Sequence, residues 1–174
     1  MTADAMRRQQ PEVLAEILAA YGPEIGGVAY LILRDRAAAE DVVMETLLTA
    51  LERAHELRDP SALRPWLLRV ATNHALGMRR RAARIVLVPA LPDGARIHVD
   101  SDIVERTVLW QAIGELPPRM RAAIVLHYHV DLPVEGVAAA MGVSPNTVKT
   151  QLRKALEKMR AALAEKPLEV MDHA

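Results

Sequence analysis

Residues 132–159 read LPVEGVAAAMGVSPNTVKTQLRKALEKM, a pattern typical of two helices joined by a short turn that contains glycine. Gly142 is expected to take the left-handed conformation that ends the first helix, with Val143 in the corner. Ser144 is a strong N-cap and Pro145 suits the first helical position, so we predict that a second helix begins there. Apolar residues at helical spacing mark its buried side: Val148, Leu152, Leu156 and Met159.

The opposite side of this second helix is polar and basic. Its exposed side chains are expected to be Asn146, Lys149, Thr150, Arg153 and Lys154. In a helix-turn-helix module the second helix enters the major groove of DNA. Asn and Arg suit paired hydrogen bonds to adenine and guanine, whereas Lys and Thr suit phosphates or single contacts. The alternative is an ordinary antiparallel helix pair with a solvated basic face.

The N-terminal half of the chain also shows helical periodicity. One helix is predicted to end near Gly22 and another to start at Pro23. Asp35 is expected to cap the next helix, and Ser61 a further one that ends in the basic run 79–81. For the buried face of that last helix the spacing predicts Leu63, Trp66, Leu67, Val70, His74 and Met78.

Helical periodicity is lost over residues 85–101, which contain prolines and a glycine, so we interpret them as a linker. A short strand at 85–88 is the alternative, but a strand without a partner is not stable. Beyond the linker, Pro118 is expected in the first turn of a helix that runs to about His129. These patterns predict an all-α chain of two small helical domains with a flexible linker and a C-terminal helix-turn-helix. The predicted division is 1–84, linker 85–101, 102–166 and tail 167–174.

Composition excludes several classes of protein. Aromatic residues make up 3% of the chain and Phe is absent, which weakens an all-β interpretation. The absence of Cys excludes disulfides, thiolate zinc sites and cysteine nucleophiles. Residues 1–10 lack the apolar core of a signal peptide, and no apolar run approaches the roughly 18 residues that span a membrane. We therefore expect no membrane insertion and a cytoplasmic location.

The distribution of charge is more informative than its sum. The chain holds 22 basic and 22 acidic residues, for a net charge of zero. No acidic residue lies between Asp59 and Asp93, a stretch rich in arginine, and none lies between Glu135 and Glu157. Two basic segments far apart in the sequence indicate two separate contacts with nucleic acid.

We find no motif for catalysis or for a cofactor. A glycine-rich phosphate loop, a nucleophile elbow and an HExxH motif are all absent. His127 and His129 could suggest a metal pair, but alternating positions on a helix point to different sides and no third ligand is near in sequence. We therefore predict that the chain is not an enzyme and binds no metal or cofactor.

Two blocks of sequence resemble a known family. LPPR at 116–119, the segment 134–141 and GVSPNTVK at 142–149 resemble the C-terminal domain of bacterial sigma factors. AEDVVMET at 39–46 and LRPWLLRVATN at 63–73 are similar to their N-terminal domain. The small extracytoplasmic-function (ECF, group IV) class of the sigma-70 family is the most similar type, and the resemblance covers roughly residues 12–84 and 103–164.

The resemblance implies a subunit that associates with core RNA polymerase and directs it to promoters through their −10 and −35 elements. It implies that the polymerase offers its β′ clamp helices and β flap, and that the first domain docks through Glu40, Asp41, Met44, Glu45 and Leu48. The residues implied for the −10 element are Ser61, Arg69, Asn73, Arg79 and Arg80. Those implied for the −35 element are Ser144, Asn146, Lys149, Thr150, Arg153 and Lys154. An anti-sigma factor is a further partner found in the family.

Two other functions remain open at this point. The first is an autonomous helix-turn-helix regulator that does not depend on polymerase. Residues 1–80 lack the alternating strands and helices of a receiver domain, and two separate basic segments favour a bipartite site over a palindrome. The second is a protein-interaction decoy that binds polymerase without DNA, which the basic face of the last helix disfavours.

Overall fold

The computed structural model of the chain describes residues 3–53, 59–85 and 108–165. Over these ranges the chain is helical and contains no strand, which confirms the all-α prediction. The helices are α1 Ala3–Leu33, α2 Arg36–Arg53, α3 Leu63–Ile85, α4 Val108–Glu115, α5 Pro118–Ile124, α6 Val134–Met141 and α7 Pro145–Glu165. A 3-10 turn at Pro60–Ala62 leads into α3, and a π-helical turn at Val125–His129 extends α5. Ile85 is the last residue of α3. The rest of the predicted linker, residues 86–101, lies outside the described residues, and so do the rest of the alternative strand at 85–88 and the predicted tail at 167–174.

Helix α1 corrects one prediction, because it runs without a break through Gly22 and Pro23. A proline inside a helix removes one backbone hydrogen bond and costs about 3 kcal/mol. The burial of the apolar side chains that follow Pro23 compensates for this cost, since Ile25, Val28 and Ile32 are each no more than 1% exposed. Burying one such side chain stabilises by roughly 1.5–3 kcal/mol, so three of them outweigh the proline.

The same helix corrects the expectation that no segment approaches the length of a membrane span. Glu12–Leu33 is long enough and apolar enough to cross a membrane, with a mean hydropathy of 1.2. In the structure its C-terminal apolar residues join the core of a bundle in which α1 packs against α2 and α3. Packing within the chain thus accounts for part of its apolar composition, while Val13 and Leu18 remain exposed.

The connections between the first three helices are set by two aspartates. The Asp35 carboxylate accepts a hydrogen bond from the Ala38 N–H at 3.0 Å, which confirms the predicted cap of α2. At the start of α3 the predicted cap, Ser61, is wrong. Asp59 has that role: its carboxylate accepts from the Ser61 N–H at 2.9 Å and from the Ser61 hydroxyl at 2.7 Å. These two bonds lower the pKa of Asp59 below its ordinary value.

The buried face of α3 is also rotated from the prediction. The buried side chains are Leu67, Leu68, Ala71, Thr72, Ala75 and Leu76. Of the predicted face only Leu67 belongs to this set, and the others are half-buried at its edge. The reason is tertiary, because α3 packs against α1 and α2 on one side and against α6 on another.

Helices α4–α7 form a second unit in which α7 packs against α4, α5 and α6. Pro118 lies in the first turn of α5, as predicted, and the helix with its π-helical turn reaches His129. Asp131 then takes a positive φ of 61°, which turns the chain toward α6. The core of this unit includes Leu126, Val137 and Val148, which are completely buried.

The two units contact each other through α3 with α6 and α1 with α5. Arg121 of α5 is buried at this junction and donates to the carbonyls of Ile32, at 2.8 Å, and Leu116, at 2.9 Å. Burial, and then repulsion from the charges of Arg79 and Arg34, lowers the pKa of Arg121 to about 10. Arg121 therefore remains charged at neutral pH.

Candidate nucleic-acid interface

The turn between α6 and α7 has the geometry that the sequence predicts. Gly142 takes φ 63° and ψ 40°, the left-handed conformation that ends α6. The Val143 N–H donates to the Ala138 carbonyl at 3.1 Å. The Ser144 hydroxyl accepts from the Thr147 N–H at 3.1 Å, which confirms it as the N-cap of α7. The turn is thus fixed by backbone and cap hydrogen bonds, and it sets the direction of α7.

The basic side of α7 faces solvent along its whole N-terminal half. The exposed residues are Asn146, Lys149, Thr150, Arg153 and Lys154. On the opposite side Val148, Leu152 and Met159 are buried, and Leu156 is half-buried. Ser144 is exposed as a residue, but its hydroxyl is already engaged with the backbone and with the Thr147 hydroxyl at 2.9 Å. Five of the six residues predicted for the −35 element therefore have free access to a ligand on this side.

One residue of this face has a partner that the sequence predictions missed. The Arg153 Nη1 donates to the Glu157 Oε1 at 2.8 Å, one turn further along α7. Both side chains are more than half exposed, so the pair contributes only about 0.3–0.5 kcal/mol. The spacing of four residues on a helix was the signal that could have revealed it. The pair orients the Arg153 guanidinium without holding it tightly.

The residues predicted for the −10 element lie along α3 and the turn before it. Ser61, Arg69, Asn73 and Arg80 are exposed. Arg79 differs from them, because it is half-buried and its Nη2 donates to the carbonyl of Leu33 at the end of α1. In this arrangement Arg79 holds two helices together, whereas the other four face solvent.

A third exposed surface lies on α2. Its members are Glu40, Asp41, Met44, Glu45 and Leu48. Met44 is 53% exposed and Leu48 is 50% exposed, with the three carboxylates around them. Glu40 also forms an ion pair with Arg36, at 2.8 Å between Oε1 and Nε. Apolar side chains surrounded by charge are typical of a surface that binds another protein.

The two histidines of the π-helical turn after α5, His127 and His129, have structural partners. The Nδ1–H of His127 donates to the Leu132 carbonyl at 2.7 Å, since a carbonyl can only accept. The ring of His129 meets that of Trp110 edge-on, with 5.8 Å between the centroids. Within residues 3–53, 59–85 and 108–165 no group of three or more His, Asp or Glu side chains is placed to hold a metal ion.

Comparison with known proteins places this chain in a family. The family models for sigma-70 region 2 and sigma-70 region 4 match residues 17–85 and 106–159. The ECF RNA polymerase sigma factor SigL of Mycobacterium tuberculosis is 32% identical over 137 residues, which cover 75% of this chain and 77% of that protein. The chain belongs to the ECF class of sigma-70 RNA polymerase sigma factors.

Other sigma factors are also similar over most of this chain. RNA polymerase sigma factor SigV of Bacillus subtilis is 28% identical over 141 residues, which cover 81% of this chain and 85% of SigV. Among solved structures, RpoE of Bartonella quintana, in complex with the anti-sigma factor NepR, superposes with a TM-score of 0.71 at 22% identity. That match covers 88% of this chain and 98% of RpoE. CnrH, in complex with the cytosolic domain of CnrY, gives a TM-score of 0.64 at 22% identity, over 94% and 97% of the two chains. These structures show that the helical fold is shared.

The predicted family and function are therefore confirmed. The protein is an RNA polymerase-associated sigma factor that recognises promoters. Both sequence blocks that carried the resemblance lie within the matched ranges. Nothing in the comparisons favours an autonomous regulator.

Proposed function

We propose that this sigma factor uses three separate faces: α7 reads the −35 element, α3 binds the −10 element, and α2 docks on core RNA polymerase. The observation that carries the proposal is the basic side of α7, which is exposed directly after a capped, glycine-ended turn. This is the arrangement by which a helix-turn-helix places a second helix in the major groove. Residues 1–84 and 102–166 would act as two domains, with 85–101 as the linker.

On α7 the chemistry of the exposed side chains suits a duplex. Arg153 can donate two hydrogen bonds to a guanine and Asn146 can pair with an adenine. Lys149, Thr150 and Lys154 suit phosphates, which set position and overall affinity. The hydroxyl of Ser144 is engaged as the cap, so its contribution is to hold the helix rather than to read a base.

On α3 the exposed residues suit an opened strand. Arg69 and Arg80 can follow a phosphate backbone, while Asn73 and Ser61 can hydrogen-bond to exposed bases. Holding a base outside the stack must offset an unstacking cost of a few kcal/mol. Arg79 can join this contact only after it releases the Leu33 carbonyl.

On α2 the acidic and apolar surface suits a basic partner helix, for which we propose the β′ clamp helices; the β flap would contact the C-terminal domain. Charge complementarity speeds association, and Met44 and Leu48 offer apolar area at the centre of the contact. An anti-sigma factor is a further proposed partner, since both superposed sigma factors are complexes with such proteins or their domains. The chain would act in the cytoplasm, and RNA synthesis would belong to the polymerase rather than to this chain.

Two assays separate these roles. In a pull-down with bacterial core polymerase, Asp41→Arg should abolish binding, while Glu16→Arg, a matched reversal on the exposed side of α1, should not. In run-off transcription, Lys149→Ala should reduce promoter use, while Lys158→Ala, on another side of the same helix, should not. Equal behaviour of either pair would remove the corresponding face from the proposal.

A further inference from the structure

An open cleft of about 370 Å³ lies between the two helical units. One wall is the C-terminal part of α3 and the other is formed by the start of α5 and by Gln151 of α7. Its volume falls in the range of small-molecule sites, which is about 300–1,000 Å³. The cleft shares Arg79 and Arg80 with the surface proposed for the −10 element, but none of its residues belongs to the promoter-reading face of α7 or to the exposed face of α2.

The cleft concentrates positive charge from both units. Arg79 and Arg80 enter it from α3, and Arg119 enters it from α5. Among the residues that the structure describes, none of these three arginines forms an ion pair with a carboxylate. Arg121 and Arg34 lie near Arg79, and the repulsion among them contributes to the lowered pKa of Arg121. An anion in the cleft would relieve this repulsion.

Two buried polar atoms at the cleft also lack a partner in the described part of the chain. They are the Nε of Arg79, a donor, and the Oε1 of Gln151, an acceptor. Buried polar groups are nearly always hydrogen-bonded, so each such atom needs an explanation. Both atoms are themselves buried, so a ligand in the cleft would reach them only after the side chains of Arg79 and Gln151 turned toward it.

The remaining walls of the cleft are apolar. They include Leu76 and Met120, with the rings of Pro117 and Pro118 beside them. Such walls suit a flat, weakly polar group more than a bare inorganic ion, since an ion would leave them facing water. The ligand that matches the whole cleft therefore has an anionic end and a planar apolar end.

We propose that this cleft binds a nucleotide. Its phosphates would lie against the guanidinium groups of Arg80 and Arg119, whose fork geometry matches phosphate oxygens, while Arg79 adds positive charge from its position at the Leu33 carbonyl. Its base would pack on Leu76 and Met120. Because both units line the cleft, the bound nucleotide would hold them together.

The regulatory consequence rests on the proposed function. Reading the −10 and −35 elements at the same time requires the two units to separate. A ligand that binds only the closed arrangement, in which the two units are in contact, therefore opposes promoter binding. The nucleotide would therefore lower promoter-dependent transcription through this subunit.

Isothermal titration of the full chain, without polymerase or DNA, tests the site directly. The probes are ATP and GTP, with adenosine and inorganic pyrophosphate as controls at constant ionic strength. We expect one nucleotide per chain, and a Kd raised about tenfold or more in Arg80→Gln and in Arg119→Gln, since each loses a charge-assisted bond. Arg160→Gln, an exposed arginine of α7 outside the cleft, should leave the Kd unchanged.

Several results would overturn the proposal: no nucleotide binding, pyrophosphate binding as tightly as ATP, or the same loss in Arg160→Gln as in Arg119→Gln. Because the titration needs neither polymerase nor promoter, its failure leaves the promoter assignments intact. Conversely, loss of promoter binding in Lys149→Ala, measured by gel shift with core polymerase, without any effect of added ATP or GTP on binding by the parent chain would keep the promoter assignments and reject the regulatory consequence.

Discussion

The guanidinium of Arg121 donates to the backbone carbonyl of Ile32 across the junction of the two helical units, at 2.8 Å. The last carbonyls of a helix have no partner within it and favour a nearby cation. Arg79 satisfies the next carbonyl, that of Leu33. Gly114 lies against the guanidinium of Arg34 at the same junction, and any side chain at position 114 would overlap that group. The end of α1 is thus capped by arginines of two other helices.

This closed arrangement is too short for a promoter. Elements about 25 base pairs apart are separated by roughly 85 Å of B-DNA at 3.4 Å per pair. A compact chain of this length has a radius of gyration of only about 16 Å. The two units must therefore part when both elements are bound, and the contacts of Arg121 with α1 must break.

Arg121→Met should loosen the junction. The variant leaves the carbonyls of Ile32 and Leu116 without their donor. The chain has no cysteine, so spin labels can be placed on Glu16→Cys and Lys158→Cys without a background. We expect a narrow distance distribution in the parent and a broad one with longer distances in Arg121→Met.

Arg160→Met serves as the matched control for that measurement, because Arg160 is exposed on α7. Circular dichroism of each variant verifies that the helices are retained. A distribution that stays narrow in folded Arg121→Met would show that Arg121 does not hold the junction.

The junction should not respond to pH near neutrality. Burial lowers the pKa of Arg121 from its ordinary value to about 10, so folding disfavours its charged form. This cost is constant well below pH 10 and disappears only as the pH rises above about 10 toward the ordinary pKa of arginine. The difference in stability between the parent and Arg121→Met, measured by urea unfolding, should be the same at pH 6, 7 and 8. A change across that window would assign the effect to another group.

Ser144 offers a way to separate the cap of α7 from contact with DNA. Ser144→Ala removes the acceptor for the Thr147 N–H and should cost about 1 kcal/mol of stability. Ser144→Asp keeps a cap, so stability should be retained, but its charge should repel phosphates and weaken DNA binding. Thermal unfolding and gel-shift titration measure the two effects. Full DNA affinity in Ser144→Asp would place this end of α7 away from the duplex.

Glu157 is expected to affect the selectivity of Arg153. Glu157→Gln removes the ion pair at 2.8 Å and one negative charge near the proposed DNA face. Affinity for unrelated DNA should rise because repulsion falls, while discrimination at the base that Arg153 reads should decrease. Glu135→Gln, an exposed carboxylate on α6, is the control for charge alone. If both variants change specific and unrelated DNA equally, Glu157 does not orient Arg153.

Local features of this chain were predictable from sequence and features set by tertiary contacts were not. The turn at Gly142 and the caps at Ser144 and Asp35 depend on neighbouring residues, and all three were predicted correctly. The continuity of α1 through Pro23 depends on the burial of Ile25, Val28 and Ile32, and helix propensity takes no account of burial. The cap of α3 was assigned to the wrong residue because Asp59 and Ser61 both offer oxygens near the same turn.

The site shows the same division. Amphipathic spacing was sufficient to predict the exposed face of α7. Arg121 was missed, because the carbonyl that it binds lies 89 residues away in the sequence. Arg79 was grouped with the DNA-binding arginines on charge alone, and only the packing of α3 against α1 reveals its bond to Leu33.

Transcription from a promoter library tests the central claim most directly. The library would carry randomised windows around the −10 and −35 positions, transcribed by bacterial core polymerase with the parent chain, Arg153→Ala or Arg80→Ala. We expect the parent to select two separate windows, with Arg153→Ala relaxing only the upstream window, at a cost of about 1–3 kcal/mol, and Arg80→Ala weakening only the downstream one. Selection of a single symmetric site, or variants that relax both windows equally, would contradict the account.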